Sequence, residues 1–316
     1  MPIRVAVLDD YQQVAGEFAD WAGRLPDARV EFFPEHIADE DALAAALAEA
    51  EVVVAMRERT AFPRRLFERL PALRLLVTTG MVNAAVDLEA AAEAGVTVCG
   101  TRSHPSGTTE LTWALILGLV RGTAAEDGRV RSGGWQQTLA PDLDGQVLGI
   151  AGLGRLGSKV AAVGSAFGMD VAAWSPNLTA ERAAEHGARL VGKEELFATA
   201  KVVTLHLVLS ERTRGVVGDP ELSVMRPDAY LVNTSRFGLL DEEALRRALA
   251  SDRPAGVGLD VFPQEPLPAG HWLRTAPRTL LTPHMGYVTE RTYRIFFGDV
   301  VEDIAAFLAG DPVRVI

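Results

Sequence analysis

Short apolar runs that alternate with helical patterns limit the possible folds of this chain more than any other feature. In the first hundred residues four such runs are apolar on both faces, as strands of a parallel sheet covered by helices must be. They are Val5–Leu8, Val52–Ala55, Leu73–Val77 and Val96–Cys99. Asp41–Ala50 and Asp87–Ala94, which lie between them, have helical composition and begin with an acidic residue suited to a helix N-terminus. This order predicts a βαβ series and a doubly wound parallel sheet.

The same alternation begins again in the second half of the chain. Six further runs are predicted to be strands: Gln146–Ala151, Asp170–Trp174, Lys201–Leu207, Ala229–Asn233, Gly256–Asp260 and Thr279–Thr282. Helical patterns fall between them at Arg155–Phe167, Glu194–Ala198 and Asp241–Ala250. Because single cores rarely grow beyond roughly 250–300 residues, a chain of 316 residues is expected to form two domains. We therefore predict an α/β protein with two doubly wound parallel-sheet domains.

Two segments lie outside this alternation. Glu290–Leu308 is one long helical pattern after the last predicted strand, so we expect it to return and pack on the first domain. Ala124–Asp144 is polar, rich in glycine and contains Trp135. It is either a surface loop anchored by one tryptophan or an arm that packs on a partner subunit.

The charge and apolar content exclude several classes of partner. The formal net charge is −11, and so acidic a chain has no general attraction to nucleic acid or anionic lipid. The longest apolar stretch, Leu111–Val120, is too short to span a bilayer. Asp9 and Asp10 argue against a signal peptide at the N-terminus. We expect a cytoplasmic protein that binds a small molecule, with neither nucleic acid nor membrane as a partner.

Cysteine and most of the histidines give no sign of a metal or disulfide site. Cys99 is the single cysteine, so a disulfide within the chain is impossible. Five histidines lack the spacing of metal ligands and are predicted to be structural or surface residues. They are His36, His104, His186, His206 and His271.

The segment Gly-Leu-Gly-Arg-Leu-Gly at residues 152–157 has the spacing of a dinucleotide-binding turn. It joins a predicted strand to a predicted helix, which is the context that this motif requires. Gly152 allows a tight turn, Gly154 lets the backbone approach a pyrophosphate, and Gly157 lets helix and strand pack closely. With Arg155 and Leu156 between them, these residues are predicted to bind the cofactor phosphates at the helix N-terminus.

The residues after the next predicted strand leave the choice of dinucleotide open. An acidic residue that bonds the ribose hydroxyls is expected about 20 positions after the glycines, but the strand ends Trp174-Ser175-Pro176-Asn177. Ser175 or Asn177 is able to bond a hydroxyl or a 2′-phosphate instead. We predict NAD as the cofactor, with NADP not excluded.

Three later segments place polar residues directly after strands, at the sheet edge where ligands bind. They carry Arg236 in Asn-Thr-Ser-Arg, Glu265 in Asp-Val-Phe-Pro-Gln-Glu-Pro, and His284 in Thr-Pro-His-Met-Gly. Reduction of a 2-oxo acid requires these three residue types. A guanidinium binds the carboxylate in a fork, an imidazolium donates a proton, and a carboxylate orients the imidazole.

Together these motifs resemble the D-isomer-specific 2-hydroxyacid dehydrogenase family, in its order and at its usual spacings. The resemblance implies NAD(P)H-dependent reduction of a 2-oxo acid to a D-2-hydroxy acid. It further implies Arg236 as the substrate clamp, Glu265 as the orienting carboxylate and His284 as the acid/base. Asp260 is implied to contact the nicotinamide amide and Thr108 to contact the cofactor.

The resemblance also implies a substrate loop and a domain arrangement. Thr79, Gly80 and Met81 lie in a loop similar to the one whose backbone N–H groups hold the substrate carboxylate, and Arg57 lies where phosphoglycerate-type relatives approach the substrate. The implied substrate domain has a flavodoxin-like fold and comprises residues 1–100 and 284–316, with a Rossmann cofactor domain, residues 101–283, inserted. The helix at Leu111–Val120 either resembles the family's dimer helix or is an ordinary buried helix. The resemblance implies a homodimer.

Three positions depart from the family pattern, and other functions remain open. Leu207-Val208 stands where a Leu-Pro pair is common beside the adenine. Phe237 follows the clamp arginine where glycine is usual, and Tyr287 replaces a small residue, so we expect both to reshape the substrate pocket. An NAD(H)-sensing, corepressor-like binding protein is the main alternative, although such proteins usually carry extra interaction segments. Glu265 argues against a formate enzyme, which has glutamine there, whereas oxidation of phosphite stays possible.

Overall fold

Two parallel sheets contain most of the buried apolar runs of the chain. The structure is a computed structural model that describes residues 2–316. It divides into two units: one holds the chain up to His104 together with Val288–Ile316, and the other is Pro105–Tyr287. Both breaks lie a few residues after the boundaries expected from the sequence, so His284 belongs to the second unit.

The first unit contains five parallel strands, with helices on the connections. The strands are β1 (Ile3–Val7), β2 (Ala28–Phe32), β3 (Val52–Ala55), β4 (Leu75–Thr78) and β5 (Thr97–Gly100), and the helices are α1 (Trp21–Arg24), α2 (Glu40–Leu47), α3 (Arg64–Phe67) and α4 (Leu88–Glu93). The strand order is β2-β1-β3-β4-β5, which is the predicted flavodoxin-like order. β3 and β4 are buried along their whole length, because helices cover both faces of the sheet.

The second unit contains seven parallel strands. They are β6 (Val147–Ala151), β7 (Asp170–Trp174), β8 (Arg189–Leu190), β9 (Val202–Leu205), β10 (Tyr230–Asn233), β11 (Gly256–Leu259) and β12 (Thr279–Leu281). The helices are α5 (Ser106–Arg121), α6 (Thr123–Arg131), α7 (Gly157–Ala166), α8 (Ala180–Ala184), α9 (Lys193–Thr199), α10 (Asp219–Val224) and α11 (Glu242–Ala250). The strand order β12-β11-β10-β9-β6-β7-β8 reverses between β6 and β9, as in a Rossmann fold. Both predicted fold classes are confirmed.

The sequence prediction missed two edge strands, β2 and β8, and five helices, α1, α3, α6, α8 and α10. β2 alternates between half-buried and exposed residues, and both residues of β8 are exposed, so neither forms the continuous apolar run used to find strands. α6 forms the first part of the segment Ala124–Asp144, and none of the side chains of α6 is buried. The rest of that segment is irregular.

The last helix, α12 (Glu290–Leu308), packs against β4 and α1 of the first unit. Two buried carboxylates on α12 hold neighbouring segments of the same unit. Asp299 accepts hydrogen bonds from the backbone N–H of Arg102 at 2.8 Å and from its guanidinium at 2.6 Å. Asp303 lies 2.9 Å from Nη2 of Arg314.

Residues 314–316 then pair with β5. The N–H of Gly100 donates to the carbonyl of Arg314 at 2.9 Å, and the N–H of Ile316 donates to the carbonyl of Val98 at 3.0 Å. Separately, no helix among the residues described has the length and apolar character needed to cross a membrane.

The buried carboxyl of Asp303 predicts a pH-dependent stability. Burial is the largest influence and raises the pKa of Asp303 to about 7, so the folded state binds this proton more tightly than the unfolded chain. Its stabilising contribution is therefore present below about pH 4 and is lost as the pH rises through about 7. We expect Asp303→Asn to gain about 1–3 kcal/mol of stability relative to the unsubstituted protein between pH 4 and pH 8.

Urea unfolding at several pH values measures this difference. The exposed Asp311 on the same terminal segment supplies the control, Asp311→Asn. A stability difference between Asp303→Asn and the unsubstituted protein that does not change with pH would contradict the prediction.

Candidate active site

The glycines between β6 and α7 have different structural requirements. Gly152 has φ +103°, and a Cβ there would lie 2.7 Å from the backbone carbon of His206. A Cβ on Gly157 would lie 2.1 Å from the carbonyl oxygen of Gly152. A Cβ on Gly154 would meet no atom within 4 Å. The fold itself therefore requires Gly152 and Gly157, whereas Gly154 borders open space at the N-terminus of α7.

That open space suits a dinucleotide pyrophosphate. The turn follows β6, at the point where the strand order reverses, and α7 directs its N-terminal N–H groups there. Arg155 of the turn is exposed and Leu156 is half-buried. Ser175 is half-buried and Asn177 exposed directly after the neighbouring strand β7. The turn and the end of β7 thus form one edge, and these residues fit the cofactor predicted from the sequence.

Glu265 and His284 are brought together in the second unit. Oε2 of Glu265 lies 2.5 Å from Nδ1 of His284, and Oε1 of Glu265 accepts from the N–H of Phe262 at 3.0 Å. Because both oxygens of the carboxylate are engaged, the imidazole is held in one orientation. Nε2, on the opposite side of the ring, is left to face a ligand. This pair has the geometry of an oriented proton donor or acceptor.

Asp260 holds the turn that carries His284. It is 1% exposed, and its Oδ1 accepts from the Thr282 hydroxyl at 2.7 Å and from the Met285 N–H at 2.8 Å. Its Oδ2 accepts from the Gly286 N–H at 2.9 Å. Burial raises the pKa of Asp260 even though these hydrogen bonds oppose the shift. The structure thus gives Asp260 a positioning contact that the sequence did not suggest, and its contact with the nicotinamide amide stays a prediction.

Thr108 reaches the same turn from α5. Its hydroxyl donates to the carbonyl of Gly286 at 3.1 Å. Thr112, one helical turn further on, lies 2.8 Å from the hydroxyl of Thr234 after β10. The first turns of α5 therefore connect two of the three polar segments, which is why a threonine at this position matters structurally.

Arg236 follows β10 in a loop that Asn233 fixes. The Asn233 side chain accepts from the Ser235 N–H and donates to the Arg236 carbonyl, both at 3.0 Å. The Arg236 guanidinium donates to the Ser235 carbonyl at 2.8 Å. Arg236 lines a recess together with Phe262 and Arg214.

The two aromatic departures from the family pattern have different surroundings. Phe237 is buried in the hydrophobic core of the second unit and also lines the recess beside Arg236, so its influence on the substrate pocket stays a prediction. Tyr287 packs edge-on against the His284 ring, with 5.6 Å between ring centroids. Of the two residues, Tyr287 is the one that contacts the predicted acid/base.

The predicted substrate loop belongs to the first unit and follows β4. Arg57 approaches it closely: its N–H donates to the Thr79 hydroxyl at 2.9 Å and its guanidinium to the Thr79 carbonyl at 3.0 Å. The N–H of Gly80 donates to the Thr101 hydroxyl at 2.8 Å, so this N–H is already satisfied. Met81 and Val82 are exposed, and the hydrogen bonds of residues 2–316 include no acceptor for their N–H groups.

Asn83 stabilises this loop and was not anticipated from the sequence. Its side-chain amide donates to the Arg57 carbonyl at 2.7 Å and to the Thr78 hydroxyl at 2.8 Å. An asparagine that bonds to local backbone is common in loops. Only its position after a strand, beside the predicted substrate residues, would have singled it out.

The other histidines have mostly structural contacts. His206 bonds Thr204 at 3.0 Å, and burial lowers its pKa to about 4. His271 lies 3.1 Å from Glu242. Across residues 2–316 no three His, Cys, Asp or Glu side chains are grouped so that they could hold a metal ion.

Comparison with known proteins gives the family. Residues 113–286 match the model for the D-isomer specific 2-hydroxyacid dehydrogenase, NAD binding domain. Glyoxylate reductase from Aeropyrum pernix is 34% identical over 255 residues, which cover 78% of this chain and 76% of that protein. D-3-phosphoglycerate dehydrogenase from Bacillus subtilis is 33% identical over 261 residues, or 82% of this chain. The alignment covers 50% of that longer relative.

Solved structures agree with this result. Phosphoglycerate oxidoreductase from Vibrio cholerae has a TM-score of 0.92 and 34% identity, covering 98% of this chain and 99% of that one. D-lactate dehydrogenase from Aquifex aeolicus, in complex with NAD and lactic acid, has a TM-score of 0.79 and 26% identity, covering 97% of this chain and 96% of that one. The chain belongs to the D-isomer specific 2-hydroxyacid dehydrogenase family. It is an oxidoreductase of the type that acts on CH–OH groups, and NAD is its cofactor, as predicted.

The contrast between Gly154 and Gly157 yields a test of the cofactor turn. Gly154→Ala places a methyl group in the open space, so we expect an unchanged melting temperature and an affinity for NADH at least about tenfold weaker, or ~1.4 kcal/mol. Gly157→Ala drives a methyl group into the Gly152 carbonyl, so we expect a loss of about 1–3 kcal/mol of stability.

Thermal unfolding and NADH fluorescence titration separate the two effects. Gly270→Ala is the control, because a Cβ at Gly270 also meets nothing within 4 Å but lies far along the chain from the turn. The interpretation fails if Gly154→Ala binds NADH as tightly as Gly270→Ala does.

Proposed function

We propose that this protein reduces a 2-oxo acid to the D-2-hydroxy acid with NADH, with His284 as the acid/base. The observation that carries the proposal is the distance of 2.5 Å between Glu265 and His284. The turn that contains His284 is fixed by hydrogen bonds to the buried Asp260. The substrate is a small 2-oxo acid, because relatives named glyoxylate reductase and D-3-phosphoglycerate dehydrogenase act on acids of this size.

His284 and Glu265 perform the proton chemistry in this proposal. NADH, when bound, supplies the hydride that adds to the carbonyl carbon. His284 holds a proton at Nε2 and transfers it to the carbonyl oxygen, which becomes the hydroxyl. Glu265 at Nδ1 orients the ring and stabilises the imidazolium form before transfer. In the reverse direction the same Nε2 removes the hydroxyl proton.

Substrate and cofactor are held by the remaining predicted residues. The Arg236 guanidinium forms two parallel hydrogen bonds with the substrate carboxylate. In the loop after β4, Arg57, Thr79, Gly80 and Met81 bind the carboxylate end; Thr101 already engages the Gly80 N–H, so the exposed N–H of Met81 is the better donor.

Cofactor binding is assigned to the glycine turn and the end of β7. Gly152, Gly154 and Gly157, with Arg155 and Leu156, surround the pyrophosphate. Ser175 and Asn177 hydrogen-bond the adenosine ribose, and Thr108 and Asp260 support the nicotinamide end through the turn that they hold. Arg182 is paired with Glu185 at 2.8 Å, which gives no support for binding of a 2′-phosphate.

Substitution of His284 tests the proposal. We expect His284→Ala to lower kcat by roughly 10²–10⁴, because the proton must then come from water, while the dissociation constant for NADH stays within about twofold. His186→Ala, at a half-buried histidine of the same unit, is the matched control.

The assay follows the loss of reduced nicotinamide absorbance with a panel of 2-oxo acids, with NADH and NADPH in separate reactions. Full turnover by His284→Ala would eliminate this residue as the acid/base. Tight NADH binding without turnover of any 2-oxo acid would favour the cofactor-sensing alternative.

We propose further that the protein is a homodimer whose interface includes residues 123–144. Trp135 is 73% exposed and Leu139 98% exposed, and α6 buries no side chain. Large apolar side chains concentrated on one exposed segment are typical of subunit interfaces.

Light scattering after size exclusion measures the oligomeric state. We expect Trp135→Glu combined with Leu139→Glu to convert dimer to monomer, because charge buried at an apolar contact costs several kcal/mol. Val208→Glu, at a side chain that is also highly exposed, is the control. The proposal is contradicted if the double variant at Trp135 and Leu139 has the same molecular mass in solution as Val208→Glu.

A further inference from the structure

The substrate loop after β4 is anchored at both ends and left free in the middle. At one end the N–H of Gly80 donates to the Thr101 hydroxyl at 2.8 Å. At the other end Asn83 bonds to two neighbouring groups through its side-chain amide. Between these anchors Met81 and Val82 are 43% and 73% exposed. The part of the loop that offers its N–H groups to a ligand is therefore two residues long.

Thr101 lies directly after β5 and is fully buried. Its N–H donates to the Thr78 carbonyl at 3.2 Å, which places it beside the end of β4. Its hydroxyl donates to the Arg102 carbonyl at 3.1 Å. Because a hydroxyl has a single hydrogen, its oxygen is then left to accept the Gly80 N–H. The direction of that N–H is therefore determined by the neighbouring strand and not by the loop alone.

Gly80 depends on this hydrogen bond because it is itself buried. Its φ is +94°, which is a conformation that favours glycine. A Cβ at Gly80 would collide with the Arg57 guanidinium, so the loop backbone is packed closely against that side chain. A buried N–H that loses its acceptor costs free energy. The loop therefore cannot turn its Gly80 peptide away from Thr101 without a penalty.

Gly100, the last residue of β5, supports the same loop by close packing. A Cβ at Gly100 would lie 2.7 Å from the carbonyl oxygen of Gly80 and 3.0 Å from Cα of Met81. No side chain fits there unless the loop moves. Gly100 and Thr101 therefore act on the loop together, one through contact and the other through a hydrogen bond.

The backbone on either side of Thr101 is fixed by other parts of the first unit. Before it, the N–H of Gly100 donates to the carbonyl of Arg314 at 2.9 Å. After it, the N–H of Arg102 donates to Asp299 of α12 at 2.8 Å, and Asp299 is 2% exposed. The Thr101 hydroxyl is therefore held in one position, as a group that orients another must be.

We propose that Thr101 is a positioning residue for substrate binding. Its hydroxyl engages the Gly80 N–H and so orients the peptide groups that follow, with the N–H groups of Met81 and Val82 directed toward the substrate carboxylate. Thr101 acts through the loop and has no assigned contact with the substrate. The proposal rests on the proposed function, in which this loop binds the carboxylate of a 2-oxo acid.

Two substitutions separate the hydroxyl of Thr101 from its packing. Thr101→Val replaces the hydroxyl with a methyl group of similar size and leaves the Gly80 N–H without its acceptor. Thr101→Ser keeps the hydroxyl and removes a buried methyl group, which costs stability but not the hydrogen bond. Thr97→Val is the matched control, because it makes the same exchange at a half-buried threonine at the start of β5. Thr101→Ala also removes the hydroxyl and repeats the test if Thr101→Val does not fold.

Steady-state kinetics with NADH and either glyoxylate or pyruvate give KM and kcat for each variant. We expect Thr101→Val to raise KM for both acids at least about tenfold, the size of effect that loss of a buried hydrogen bond allows. We expect kcat to change less than about threefold, because the loop binds the carboxylate equally in the ground state and the transition state. For Thr101→Ser and Thr97→Val, KM is expected within about threefold of that of the unsubstituted protein.

Thermal unfolding distinguishes positioning from a purely structural role. We expect Thr101→Ser to unfold at a lower temperature than the unsubstituted protein and still to keep its KM. The proposal is overturned if Thr101→Val keeps the KM of the unsubstituted protein. It is also overturned if KM rises in both variants in parallel with the loss of melting temperature, because Thr101 would then only pack in the core. In either case the proposed function would stand.

Hydrogen exchange tests the loop without any turnover. Exchange in the peptide that covers residues 79–83 is followed by mass spectrometry on the full chain without added substrate. We expect this peptide to exchange at least about tenfold faster in Thr101→Val than in Thr101→Ser, because the loop opens more readily without its anchor. Equal exchange in the two variants overturns the proposal. Faster exchange in a protein that reduces no 2-oxo acid supports the hold of Thr101 on the loop and contradicts only the proposed function.

Discussion

Parallel strands must be covered on both faces, and most of this structure follows from that constraint. After each parallel strand, a crossover connection returns the chain to the side of the sheet where that strand began. The carboxyl ends of all strands of a sheet therefore lie along one side. In the second unit, residues after β6, β10 and β11, with the turn after β12, are therefore near one another although they span more than a hundred positions. The same rule brings Asp9, His36 and Thr60 together in the first unit.

Two carboxylates, the buried Asp260 and the half-buried Glu265, then determine where the reactive side chains lie. Asp260 holds the turn after β12 through three hydrogen bonds, and Glu265 holds the ring of His284. A carboxylate that is buried without partners costs several kcal/mol, so these hydrogen bonds are not easily exchanged for others. The imidazole is thus located by groups that do not themselves face a substrate.

Sequence analysis predicted the features that depend on residue type over short distances. The buried strands, the glycine turn and the cofactor followed from apolar runs and glycine spacing, and the family resemblance added the order Arg236, Glu265, His284. The hydrogen bonds of Asp260 to the turn after β12 could not be predicted in this way. The sequence assigned Asp260 a contact with the nicotinamide only from its position in a family motif. The burial of Phe237 was likewise not evident from the sequence, because its neighbour Arg236 is a predicted catalytic residue whereas Phe237 packs in the core at the edge of the recess.

Contacts between distant strand ends were beyond the sequence for a different reason. His36 and Thr60 are 27 and 51 residues from Asp9, and their proximity depends on the position of β2, an edge strand whose alternating residues hid it. Once the strand order is known, the meeting of the three segments follows directly. Without it, His36 has no feature that separates it from a surface histidine.

The pairing of residues 314–316 with β5 also covers the backbone groups at one edge of the first sheet. An open edge strand is a template for another chain, and unprotected edges promote aggregation. At β5 the backbone groups of Val98 and Gly100 are already satisfied by the chain's own last residues. The other edge, β2, presents Arg29 and Glu31 as exposed side chains, and charges of this kind discourage edge-to-edge pairing. The five-stranded sheet is therefore protected from growth at both ends by two unrelated means, self-pairing at one and charge at the other.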